Sequence, residues 1–237
     1  MSEIDASVAA AVHDVRERIA VAARRAGRDP ASVTLVAATK TMPVDVVRAV
    51  LTAGVADVGE NRAQELLAKA PECVDLPARW HFLGQLQRNK VRGLASHVSW
   101  WQTVDRVALG AEIARRAPGA RVLIEVNLGR EPQKGGCDPD GVSTLVDELT
   151  DLGLVVGGLM AVPPRTSGSD QADARRWFAE LREQAGRLGL AELSMGMTDD
   201  FEVAVEEGAT MVRVGRALFG ERSGPGATPT NQPPTIG

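Results

Sequence analysis

Short apolar, β-prone runs alternate along this chain with longer stretches whose apolar residues recur every three or four positions. The first long stretch, residues 4–26, sets Ile4, Val8, Ala11, Val12, Val15, Ile19 and Ala22 on one face, and predicts a helix that Gly27 ends. The first apolar run is Val33 to Lys40, followed by a helix over 43–53 that ends near Gly54. Further strands are expected at Ala56–Gly59, Trp80–Gly84, Val98–Gln102, Arg121–Asn127, Leu154–Met160, Ala191–Gly196 and Met211–Gly215. Helices are expected at 61–70, 87–94, 104–116, 139–151, 170–188 and 198–207. A Gly-rich loop covers 128–138, and a polar loop with Pro163, Pro164, Ser167, Gly168 and Ser169 precedes the helix at 170–188.

Eight strands separated by helices predict a parallel sheet with right-handed crossovers, closed as a single α/β barrel of the (β/α)8 TIM type over residues 1–222. The helix at 4–26 is then available to fill the outer ring beside the eighth strand. An open doubly wound sheet is the alternative, weakened because no G-x-G-x-x-G follows a strand. From Ser223 to Gly237 the chain turns rich in Gly, Pro and Thr, a composition expected to be disordered.

The 237 residues and the mix of charges are those of a globular protein, and the net charge of −4 argues against a nucleic-acid surface. No apolar stretch is long enough to span a membrane, and residues 1–20 carry Glu3, Asp5, Asp14 and Glu17 instead of a basic leader. Cys73 and Cys137 have no metal-type or redox spacing, which fits a reducing cytoplasm, with a disulfide between them left open. Lysines are few, and tyrosine is absent altogether.

Barrel sites are built where strands end at their C-termini. Those positions here are Lys40, Glu60-Asn61, Gly84-Gln85, Asn127, Met160, Ser194-Met195-Gly196 and Arg213-Val214-Gly215. A lysine ending a buried strand is partly desolvated, which lowers its pKa and suits its amine to form a Schiff base with an aldehyde. The plain alternative is a solvated lysine capping a strand. Ser194 to Thr198 joins a strand to a following helix through Gly196, an arrangement that can present backbone N–H groups to phosphate, and in Arg213 to Arg216 Gly215 again allows backbone N–H groups to face a ligand. Alternatively, Ser194 and Thr198 cap a helix and Gly215 makes a turn. Together with Lys40, the two segments favour a phosphate-bearing aldehyde. Arg213, flanked by valines, is expected to face the barrel mouth, where an arginine against a pyridine nitrogen would keep that nitrogen unprotonated. Its alternative is a surface ion pair.

Val36 to Thr41, Gly59 to Glu65, Trp80 to Lys90, Val122 to Asn127, Gly158 to Met160, Leu193 to Met197 and Val212 to Gly215 occur in order at fitting distances, from about residue 5 to Arg222. They closely resemble the pyridoxal phosphate homeostasis proteins, the alanine racemase N-terminal-domain-like family. The resemblance implies a fold-type III pyridoxal phosphate (PLP) barrel without the C-terminal β-domain of alanine racemase. It implies PLP as the cofactor, held on Lys40, with Ser194 and the backbone around Gly196 and Gly215 at the phosphate. It also implies Arg213 near the ring nitrogen, Asn61 near the cofactor, and Lys134 as a secondary PLP contact. The implied role is binding, storing and handing on PLP to client enzymes, without established turnover. Relatives often carry serine at the position of Thr39 and an aromatic residue at that of Arg62, so a ring-packing role at 62 is not expected here.

His81 is expected to point into the barrel, opposite to Trp80 and Phe82, as a satisfied core or site-lining residue. Asp199 and Asp200 are expected to complement a helix dipole. A racemase is the competing function. Two-base racemisation needs an acid/base on each face of the carbanion, and the alanine racemase counterpart takes one from a tyrosine of a second domain. This chain has no tyrosine to offer. A Schiff-base aldolase and a partner-binding scaffold remain as further readings. A monomer is favoured over a dimer, since no second domain must complete the site.

Overall fold

The computed structural model describes residues 2–164 and 171–220. The expected loop at Ser167–Ser169, the helix start at residue 170, and the tail from Ser223 lie outside the described residues. Eight parallel strands close into a barrel in sequential order, β1 (Thr34–Ala38), β2 (Asp57–Glu60), β3 (Arg79–Phe82), β4 (Val98–Val104), β5 (Arg121–Glu125), β6 (Val155–Met160), β7 (Glu192–Ser194) and β8 (Met211–Val214). β8 returns to pair with β1, Val36 opposite Arg213. The open-sheet alternative is therefore excluded.

The helices of the outer ring are α1 (Glu3–Arg25), α2 (Val44–Thr52), α3 (Ala63–Lys69), α4 (Arg88–Leu94), α5 (Val107–Arg116), α6 (Val142–Asp151), α7 (Gln171–Arg187), α8 (Phe201–Glu206) and the single turn α9 (Arg216–Phe219). Ser2 and Asp5 form a reciprocal cap at the start of α1. Val8, Val12, Val15, Ile19, Ala22 and Ala23 are buried, and α1 packs on α2, α8 and α9, filling the place beside β8 that the sequence left for it. Ile4 is 43% exposed, so the apolar face starts one turn later than the periodicity suggests.

Strand alternation sorts the core into two compartments. Ala37, Val58, Trp80, Phe82, Trp101, Ile124 and Val212 face the helices in one large cluster. Inside the barrel, Val36, Trp100, Leu123, Met160 and Met211 form a small separate one. Several boundaries depart from the sequence reading, and β3, β5 and β7 each end two residues early. β1 ends at Ala38, so Lys40 sits in a turn beyond the strand. β4 runs on to Val104, which pairs with Ile124 and delays α5 to Val107. α8 starts at Phe201 because residues 197–200 form a turn, closed by the Phe201 N–H to the Met197 carbonyl at 2.8 Å. The single-turn helix α9 falls where only a turn was expected.

Candidate functional site

Because all strands are parallel, Lys40, Asn61, Ser194, Gly196, Arg213, Gly215 and the loop carrying Lys134 lie at one end of the barrel. Lys40 is half-buried, two residues past the end of β1, whose Val36 faces the interior. Thr41 after it has φ +67°, unusual for a β-branched residue, and the surroundings hold it there. The Thr41 N–H donates to Glu65 Oε2 at 2.7 Å, and the Met42 N–H to the Thr39 carbonyl at 3.0 Å. Lys69 Nζ donates to the same carbonyl at 3.0 Å, to Glu60 Oε1 at 2.7 Å and to Glu65 Oε2 at 3.3 Å. The Thr39 hydroxyl donates to Glu60 Oε1 at 2.7 Å. A buried charged clamp from β2 and α3 thus fixes the backbone on both sides of Lys40. Burial pushes the Glu60 carboxyl up, with Lys69 and Thr39 opposing it. The sequence reading missed Lys69 and Glu65, although their i, i+4 spacing on α3 was a legible sign of pairing.

Asn61 follows β2, and its carbonyl lies where a Cβ at Gly84 would approach within 2.0 Å, so only glycine lets the loops after β2 and β3 meet. Arg62 has a 76% exposed side chain. At Gly196, φ is +89° and an added Cβ would come within 2.5 Å of Ala204 Cβ. The glycine there serves the turn and the packing of α8, a reason the sequence did not show. Gly215 lies beside Ala38 and leads into α9, whose Ala217 N–H reaches Thr198 Oγ1 at 3.4 Å. Asp199 pairs with Arg216, and Asp200 accepts the Met197 N–H at 2.6 Å, so both acids hold the β7 turn and do not serve a helix dipole alone.

Ser194 departs most from expectation. Its side chain is buried and turned into the barrel, donating to Gln102 Oε1 at 2.6 Å and accepting from Arg213 Nη1 at 2.7 Å. Arg213 is buried, as expected at the mouth, and donates from Nη2 to the Ala161 carbonyl at 2.9 Å. Burial lowers the guanidinium to about 10, with the Glu125 and Asp200 carboxylates opposing the shift. Glu125 ends β5, and burial with Asp105 nearby pushes its carboxyl up to about 7 against the pull of Arg213. Its Oε2 is buried without a hydrogen-bond partner. Lys134 is tied to the rim, through Glu131 Oε2 at 2.5 Å and the Pro163 carbonyl at 3.3 Å. Asn127 braces that loop through hydrogen bonds to the Glu131 backbone in both directions. His81 is buried with both ring nitrogens bonded, to Asp57 Oδ1 at 3.0 Å and to Gln102 Nε2 at 2.7 Å. Cys73 and Cys137 are both free thiols.

The alanine racemase N-terminal domain model matches residues 12–223. A pyridoxal phosphate homeostasis protein of Pseudomonas aeruginosa is 43% identical over 223 residues, covering 91% of this chain and 96% of that protein. The chain belongs to the pyridoxal phosphate homeostasis protein family. Another family member, from Aquifex aeolicus, is 44% identical over 219 residues, covering 88% of this chain and 95% of its own. Among solved structures, PipY of Synechococcus elongatus with PLP bound superposes with a TM-score of 0.78 at 35% identity, covering 90% of this chain and all of that one. No helix among the described residues is long and apolar enough to cross a membrane.

Proposed function

We propose that this chain binds PLP, holds it as a Schiff base on Lys40, and serves intracellular PLP (vitamin B6) homeostasis. The observation that carries the reading is the pairing of Lys40 with Arg213 at one barrel end. A half-buried amine stands in a turn fixed from both sides. On the adjacent strand β8, a buried guanidinium bonds only neutral acceptors among the described residues, leaving its charge to be met by a ligand. PLP supplies an aldehyde that a lysine amine captures reversibly and a phosphate that calls for donors. The donor set fits both demands. Arg213 would face the ring nitrogen, the backbone around Gly196 and Gly215 would take the phosphate, and Asn61 and Ser194 would line the pocket. Lys134, on its rim loop, would make a secondary contact. The names of the relatives and the PLP in PipY support the same reading.

The protein acts as a carrier and not as a catalyst, in the cytoplasm and as a monomer, passing PLP to client enzymes. The competing racemase reading keeps one specific observation, the Glu125 carboxyl with its pKa near 7, suited to proton transfer. An amino-acid racemisation assay on the loaded protein separates the two.

The decisive experiment is incubation with PLP, borohydride reduction and peptide mass spectrometry, beside Lys40→Ala. A stoichiometric pyridoxyl adduct on Lys40, lost in the variant, is expected. No adduct, or label spread over Lys90 and Lys134, would sink the reading.

A further inference from the structure

A single line of hydrogen bonds crosses the barrel interior from mouth to floor. Arg213 Nη1 meets Ser194 Oγ at 2.7 Å, Ser194 Oγ meets Gln102 Oε1 at 2.6 Å, and Gln102 Nε2 meets His81 Nδ1 at 2.7 Å. His81 Nε2 then meets Asp57 Oδ1 at 3.0 Å, and Arg79 grips Asp57 from outside, Nε to Oδ1 at 2.8 Å and Nη2 to Oδ2 at 2.5 Å. The line visits β8, β7, β4, β3 and β2, and Ser194, Gln102 and His81 are fully buried.

The two ends fix the direction of every proton between them. Burial works to raise Asp57, but hydrogen bonds from His81 and Arg79 bring it down to about 2, so it is a carboxylate and can only accept. His81 Nε2 therefore carries a proton. Burial lowers the His81 pKa and favours the neutral ring, leaving Nδ1 as an acceptor. The Gln102 amide must then turn its NH2 to His81 and its oxygen to Ser194. At the other end a guanidinium can only donate. The single Ser194 proton therefore goes to Gln102, and its lone pair takes Arg213. Reversing any one link would set two donors or two lone pairs face to face.

A line of this kind is costly to bury, and the same interior holds Val36, Leu123, Met160 and Met211, so apolar filling was available. We propose that Gln102 and His81 are positioning residues, which commit the Ser194 hydroxyl proton to the interior and thereby aim the Arg213 guanidinium at the barrel mouth. That the group Arg213 meets there is the PLP ring rests on the function proposed above. One consequence is that Ser194 has no proton left for a phosphate, so the donors on the β7 side are backbone N–H groups.

The first test needs neither PLP nor a variant. Nitrogen-15 NMR of the unloaded protein should show His81 as the neutral Nε2–H tautomer at neutral pH; an Nδ1–H tautomer would overturn the proposal. The second is a double-mutant cycle read by PLP dissociation constant and by the absorption band of bound PLP. Gln102→Met should weaken PLP about tenfold, the loss of one hydrogen bond supporting a charged group, and shift the band. In a Ser194→Ala background the same change should add little, because Gln102 acts through Ser194. Additive losses, or a Gln102→Met protein with the parent's affinity and band, would refute it. If the parent takes up no PLP at Lys40, the PLP reading fails, while the His81 tautomer still decides the relay.

Discussion

Lys69 and Arg213 are both buried cations near the same end of the barrel, but their surroundings are opposite. Lys69 lies against two carboxylates, Glu60 and Glu65, and a backbone carbonyl. Arg213 bonds a serine hydroxyl and a backbone carbonyl, with Glu125 and Asp200 acting only through the field. A charge neutralised by direct pairing is spent on structure. One bonded only to neutral groups still attracts an anion or a ring nitrogen. The difference separates a clamp that shapes the Lys40 turn from a group poised for a ligand, and position along the strands alone does not.

The largest expected effect sets the two side by side. Lys69→Met leaves Glu60 buried beside Glu65 without a counter-charge and should cost about 3–5 kcal/mol in denaturant unfolding. Arg213→Met leaves only neutral acceptors and should cost about 2 kcal/mol or less while abolishing tight PLP binding. Equal stability losses would erase the contrast.

Next comes Glu125. Its folded pKa of about 7 lies above its ordinary 4.5, so the folded state holds the proton more tightly than the unfolded chain. That contribution is full below 4.5 and is lost as pH rises through about 7. Glu125→Gln should therefore be the more stable protein above that range, by about 1–2 kcal/mol once screening is allowed for, with the advantage gone in acid. Thermal melts across pH test this, and a pH-independent difference would reject it. The smallest effect belongs to Thr39. Thr39→Val removes a hydroxyl from Glu60 and should cost about 1 kcal/mol, while Thr39→Ser should cost less than half of that. A loss as large for serine would show that the methyl packing matters more than the hydrogen bond.

The barrel was legible because period-2 and period-3.6 patterning is written locally, and eight alternations leave few closed topologies. Lys40, Arg213 and Gly215 could be placed at one barrel end for the same reason: parallel strands bring their C-terminal ends to one face, so counting strand ends lists that face. The interior orientation of His81 followed from simple alternation beside Trp80 and Phe82. The end of β1 was misplaced by two residues because the positive φ at Thr41 is imposed by Glu65 and Lys69, far along the chain.

The sequence by itself determined the element order, the barrel, the family and the strand-end residues, since each is fixed by local pattern or by motifs in order. Only the tertiary structure decided what each polar group does. Ser194 was read as a phosphate donor, and folding gave its one proton to Gln102, 92 residues away. Lys69, which the sequence reading missed, is a buried brace for the turn at Lys40. Hydrogen-bond direction depends on which donors and acceptors meet, and in a closed barrel those partners come from strands that the sequence keeps far apart.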